Sequence, residues 1–235
     1  MHRYSQSDSI VQQSSRELHI YMTQVYGWMA CGLILTSFVA WLTAHSPIIN
    51  FIFGNKNIFF SLVIIQLFLS IFISNSIINF SSAVTTGMFM FYSMLTGLVM
   101  SCIFLFYTNS SIVTTFCISS MMFGTMSIYG YTTKRDLSSF NNILIMGLIG
   151  VLISSIINIL LKNSLLTWLL TCISILLFVG LTAYDTQKLK IIANQIDIND
   201  NNSLRRNSIV GALILYLDFI NLFTLLLRIF GDRNK

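Results

Sequence analysis

The sequence predicts an all-α integral membrane protein with seven transmembrane helices, and three observations carry the prediction. Of the 235 residues, 55% are hydrophobic and only 9% are charged, for a mean hydropathy of +0.77. Seven apolar runs approach or exceed the roughly 20 residues that a helix needs to cross a bilayer core. The Lys and Arg residues gather in the gaps between those runs or at their ends. A soluble domain carries about 25% charged residues, so this chain lacks the polar surface to coat a water-facing globule. Its net charge of +5 does not point to nucleic acid, because the basic residues form no single face or stripe.

The runs are 25–44, 58–78, 84–107, 112–131, 143–161, 165–184 and 209–230. The first is no cleaved signal peptide, being full length and preceded by 24 residues of polar character. Pro47 is the sole proline, so no run is proline-kinked. Residues 1–24 read as a polar cytoplasmic segment ending in a short surface helix from Ser14, 25–231 as the membrane domain, and 232–235 as a short tail. The stretch from Asp185 to Ser208, rich in Asn and Asp, reads as a flexible connector.

Loop charge sets the orientation. With a cytoplasmic N-terminus, that side holds Arg3, Arg16, Lys134, Arg135, Lys188, Lys190, Arg205 and Arg206. The opposite side holds Lys56, Lys162, Arg228, Arg233 and Lys235. The bias favours N-in and C-out.

Cys31, Cys102, Cys117 and Cys172 fall singly in separate runs, with no C-x-x-C pair. They read as small apolar helix residues rather than as a disulfide framework or zinc knuckle. His2, His19 and His45 lie outside or at the edges of the runs, and no H-E-x-x-H occurs. No permanently bound metal or cofactor is expected.

Six of the eight acidic residues, Asp8, Glu17, Asp136, Asp197, Asp200 and Asp232, sit in loops or tails and read as solvated charge. Asp185 directly follows the sixth run, and Asp218 lies near the middle of the seventh. A charge at the centre of a spanning helix costs about 2.5–3.5 kcal/mol on insertion scales, so it usually faces a cavity or a partner. Gly211, Leu215, Asp218 and Asn221 share one helical stripe, and Ser174, Phe178, Thr182 and Asp185 form a comparable one. Such stripes line a polar path or pack on each other; the plainer alternative is that Asp218 bonds a neighbouring helix through Asn or Ser. Two carboxylates in a low-dielectric site cannot both ionise freely, and they titrate as a unit. When ionised they suit a hard cation such as calcium, which takes oxygen ligands. Two carboxylates make no tight cage, so any contact is transient, as in transit. The site residues expected are therefore Asp185 and Asp218, supported by Thr182, Asn221, Tyr184 and Tyr216.

Three segments carry a resemblance: Ser-Ile-Tyr-Gly-Tyr-Thr-Thr-Lys-Arg-Asp-Leu-Ser at 127–138, Leu-Thr-Ala-Tyr-Asp-Thr-Gln-Lys at 181–188 and Leu-Tyr-Leu-Asp-Phe-Ile-Asn-Leu-Phe at 215–223. Together they resemble the signatures of the Bax inhibitor-1 family, the transmembrane Bax inhibitor motif proteins, in its bacterial form. Weaker agreement runs from Tyr26 to Gly231. The resemblance implies a seventh helix that is central and surrounded by the other six. It also implies a pH-dependent calcium leak gated by an aspartate pair matching Asp185 and Asp218, and a bacterial inner membrane location. In the family's bacterial channel an arginine near the end of the second helix latches the sixth-helix aspartate, and this sequence departs from that pattern, with no basic residue between Lys56 and Lys134. Calcium is then the transported ion, and the partners are the lipid bilayer, calcium ions and, in a regulatory role, other membrane proteins.

Two rival readings have sequence signatures of their own. An intramembrane aspartyl protease of the presenilin type also pairs aspartates on two helices, but it carries Gly-x-Gly-Asp where this chain has Leu215, Tyr216, Leu217 and Asp218. It also needs a Pro-Ala-Leu motif, which a chain whose one proline is Pro47 lacks. A retinal protein needs a Schiff-base lysine, and the seventh run has none. A regulatory protein acting through membrane partners, as the family's name suggests, is the remaining alternative to a channel.

Overall fold

A computed structural model describes the backbone of residues 2–75, 80–196 and 200–234, and the side chains of the same residues from Arg16 onward. The end of the second run (76–78), Asp197 in the connector, the side chains of Arg3 and Asp8, and Lys235 lie outside the described residues.

The described helices are α1 (His2–Ala44), α2 (Ile48–Gly54), α3 (Lys56–Ser74), α4 (Ser82–Met100), α5 (Ile103–Phe106), α6 (Asn109–Thr132), α7 (Ser138–Leu161), α8 (Ser164–Ala193) and α9 (Asn201–Phe230). Seven spans among the described residues are long and apolar enough to cross a membrane: Arg16–Ala44 of α1, α3, Ser82–Phe106 (α4 with α5), α6, α7, α8 and α9. No β-strand forms among the described residues.

Three boundaries differ from the sequence expectation, each for a readable reason. α1 begins well before residue 25 and includes the segment expected to be separate. Tyr21, Val25 and Met29 stand one helical turn apart and are all buried, so the inward stripe starts ahead of the apolar run. α8 does not stop at Tyr184 but continues to Ala193, and α9 starts at Asn201, so the connector shrinks to 194–200. No glycine or proline interrupts the chain between Gly180 and Gly211, and Leu189, Ala193 and Leu204 carry buried stripes into the polar region. The third span is not one helix: it breaks at Ser101–Cys102 between α4 and α5. The short α2 lies between the first two apolar runs and starts immediately after Pro47 (φ −59°), whose ring presets a helical φ.

The chain forms two compact units, residues 1–105 with 189–216, and residues 106–188 with 217–235. In the first, a Cβ on Gly97 of α4 would stand 2.7 Å from the Thr36 carbonyl oxygen, so this contact with α1 admits only glycine. Thr36 is buried there, with its hydroxyl 2.9 Å from the Ser93 carbonyl oxygen and 2.6 Å from the Tyr216 hydroxyl. The Tyr216 ring takes edge contacts from Phe89 and Tyr92. In the second unit, Phe116 and Phe123 of α6 pack edge-on against Phe219 of α9. The C-terminal residues run back along the start of α6, where Thr108 N–H donates to the Asp232 carbonyl at 3.1 Å.

Burial sorts the spans. Of its most apolar window α9 buries 67%, against 6% for α3 and for α7. Large side chains such as Phe68 and Leu160 point outward from those two helices, as a lipid-facing surface requires.

Candidate functional site

α8 and α9 each bring one carboxylate into the second unit, Asp185 and Asp218. The two side chains stand close enough to act on each other through charge and side-chain hydrogen bonding. Asp218 is 6% exposed, and its Oδ2 is buried without a hydrogen-bond partner. Asp185 is half-buried. Lys188, three residues further along α8, is exposed and close enough for its charge to act on Asp185. Because α8 runs on to Ala193, Asp185 lies inside a helix and not at the start of a loop.

The other expected residues fall in different places. Thr182 is fully buried and its hydroxyl donates to the Phe178 carbonyl at 2.8 Å. Its lone pairs stay free to accept, on the same stripe as Asp185. Asn221 and Tyr184 are half-buried. Tyr216 directs its hydroxyl to Thr36 in the first unit, at 2.6 Å. Gly211, on the Asp218 stripe, serves packing: a Cβ there would meet Leu189 and Tyr21 at 3.0 Å.

Residues of the signature segments 127–138 and 181–188 that were not among the expected site residues fix the α8 turns around Asp185. Gln187 is buried, and its Oε1 accepts from Leu137 N–H at 2.8 Å while its Nε2 donates to the Arg135 carbonyl at 2.8 Å. Ser127 and Thr186 pair their hydroxyls at 3.0 Å. A Cβ on Gly130 would collide with the backbone of Ala183, so α6 and α8 touch there backbone to backbone. The segment 127–138 therefore grips residues 183–187 of α8 on either side of Asp185. Beyond it, Asp136 accepts from Ser138 N–H at 2.9 Å. Hydrogen bonding from the Ser138 backbone, then its side chain, holds that exposed carboxyl below its ordinary range.

Among the described residues, no three His, Cys, Asp or Glu side chains converge as a metal cluster would require. The chemistry on offer is a facing pair of carboxylates on two packed helices, able to hold a proton between them or to face a passing cation.

These features define a polytopic helical membrane protein with an intramembrane carboxylate pair. A family model described as inhibitor of apoptosis-promoting Bax1 matches residues 18–235, and the chain belongs to the Bax inhibitor-1 family. It is 55% identical to the inner membrane protein YbhL of Escherichia coli over the whole of both chains. It is 40% identical to a protein of Borreliella burgdorferi, covering 92% of this chain and 93% of that one. A Deinococcus radiodurans protein is 35% identical, over 95% of each chain. The three signature segments of the sequence meet at one place, since 127–138 and 215–223 both contact the region around Asp185.

Proposed function

We propose that this protein is a pH-sensitive calcium leak channel, gated by protonation of the Asp185–Asp218 pair. One observation carries the reading: two carboxyls face each other inside the last two spanning helices, and one has a buried oxygen without a partner. An unsatisfied buried acceptor is costly, and a shared proton or a cation would satisfy it. Calcium enters as cargo, touched by Asp185 and Asp218 in passing. Thr182 and Asn221 offer further oxygens along the same faces. The high burial of α9 supports the reading of the seventh helix as the inner one, wrapped by the other six. The likeness to an inner membrane protein of Escherichia coli supports an inner membrane location, and the loop charges support N-in and C-out.

The test is purified protein in liposomes with a calcium dye, comparing the natural chain with Asp218→Asn across pH. A pH-dependent leak in the natural chain whose response shifts or flattens in Asp218→Asn supports the proposal; the absence of calcium flux from both sinks it. The description of the matched family model favours a second reading, regulation through membrane partners. That role would survive loss of both aspartates.

A further inference from the structure

A cavity of about 430 Å³ opens among α7, α8 and α9 of the second unit, lined by Ser155, Asn158, Thr171, Ser174, Leu225 and Arg228 among others. A single water needs only roughly 15 Å³, and these polar groups give water partners. The Thr171 and Ser174 hydroxyls donate to the Thr167 and Leu170 carbonyls, each at 2.7 Å, leaving oxygen lone pairs toward neighbours. Asn158 Nδ2 donates to the Thr167 hydroxyl at 2.7 Å. Arg228, exposed in the last turn of α9, is the charged group of the lining, which holds no carboxylate to neutralise it.

The cavity is aligned with the aspartates. Ser174 precedes Asp185 by roughly three turns of α8, about 16 Å along the axis, and returns to nearly the same face. Leu225 follows Asp218 by roughly two turns of α9, about 10 Å, again on nearly the same face. Phe178 and Thr182 on α8 and Asn221 on α9 occupy the stretch between cavity and carboxylates.

We propose that this cavity is a water-filled mouth on the route to the aspartate pair, and that Arg228 is the residue that sorts ions there by charge, admitting anions more readily than cations. A fixed charge in a cleft with low-dielectric walls acts over the whole cleft. A cation bound for the aspartates must pass a like charge, which keeps the passage a slow leak. The role in the route rests on the channel reading above; the wet cavity and its charge preference do not.

The experiment places Ser174→Cys in a protein whose Cys31, Cys102, Cys117 and Cys172 are replaced by serine, held in lipid nanodiscs so that both faces are accessible. Membrane-impermeant thiol reagents of opposite charge are then compared. Both should react, the anionic one roughly fivefold faster than at a neutral site. Arg228→Gln should abolish the preference and Arg228→Lys should keep it. Ser155→Cys repeats the measurement from the α7 part of the lining if the first variant fails to fold. Cysteines inert to both reagents overturn the wet mouth, and a preference unmoved by Arg228→Gln overturns the role of Arg228. In liposomes, Arg228→Gln should raise calcium flux severalfold. Normal charge-selective labelling with no flux in any variant would sink the channel reading and with it the route, while the charged mouth would stand.

Discussion

Gln187 holds Leu137 by a bond from the Leu137 N–H to its Oε1 at 2.8 Å, and with its Nε2 it holds the carbonyl two residues earlier. One buried amide thus ties the loop between α6 and α7 to the helix turn that follows Asp185. Gln187→Leu strips both bonds and leaves the buried Leu137 N–H unpaired, at a cost of about 1–3 kcal/mol, while the carbonyl of the exposed Arg135 can turn to water. The expected result is a lower unfolding temperature in detergent together with an altered pH profile of flux. A variant that matches the natural chain in both would show that the loop does not position Asp185.

Glycine at 130 is a packing requirement. Gly130→Ala drives a methyl into the Ala183 backbone, and overpacking of this kind typically costs about 1–3 kcal/mol. Gly124 is in the same helix with open space where a Cβ would stand, so Gly124→Ala should be neutral or stabilising by up to about 1 kcal/mol. Thermal unfolding of the two variants side by side checks the contrast.

The pH dependence has a definite sign. The carboxyls of Asp185 and Asp218 carry most negative charge at high pH, and acidification puts a shared proton between them. Calcium flux should therefore fall as the pH drops. Asp218→Asn and Asp185→Asn should each shift or flatten the response, and the double variant should lose it without unfolding. Contacting residues show non-additive effects. Single-variant shifts that simply sum would break the shared-proton mechanism, and a flux that rises on acidification would mean that protonation opens the path.

A carboxylate pair in a membrane also invites a test for proteolysis. An aspartyl protease needs both carboxyls and binds a transition-state mimic tightly. Neither cleavage of transmembrane peptides nor inhibition by such a mimic is expected here. Cleavage lost on Asp218→Asn would replace the channel as the primary activity.

Topology has a direct check. A reporter that is active only outside the cytoplasm, fused after Lys235, should be active. Activity confined to cytoplasmic reporters would overturn the N-in, C-out orientation read from the loop charges.

The sequence by itself determined the membrane class, the seven spans and the two carboxylates, because each depends on local composition and helical period. Runs of apolar residues near 20 long need no partner to be recognised, and an aspartate within one stands out at any register. It misplaced the ends of α1, α8 and α9 because polar residues extend a helix wherever one stripe stays buried, and Tyr21, Leu189 and Leu204 reveal their burial only in the folded chain. Tertiary structure alone decided that Asp185 meets Asp218, that Gln187 grips Leu137, that Gly130 touches Ala183, and that Arg228 stands in a polar cavity. Each of those relations joins residues distant in the chain or on different helices, and helical period says which face a residue is on but not which neighbour that face meets.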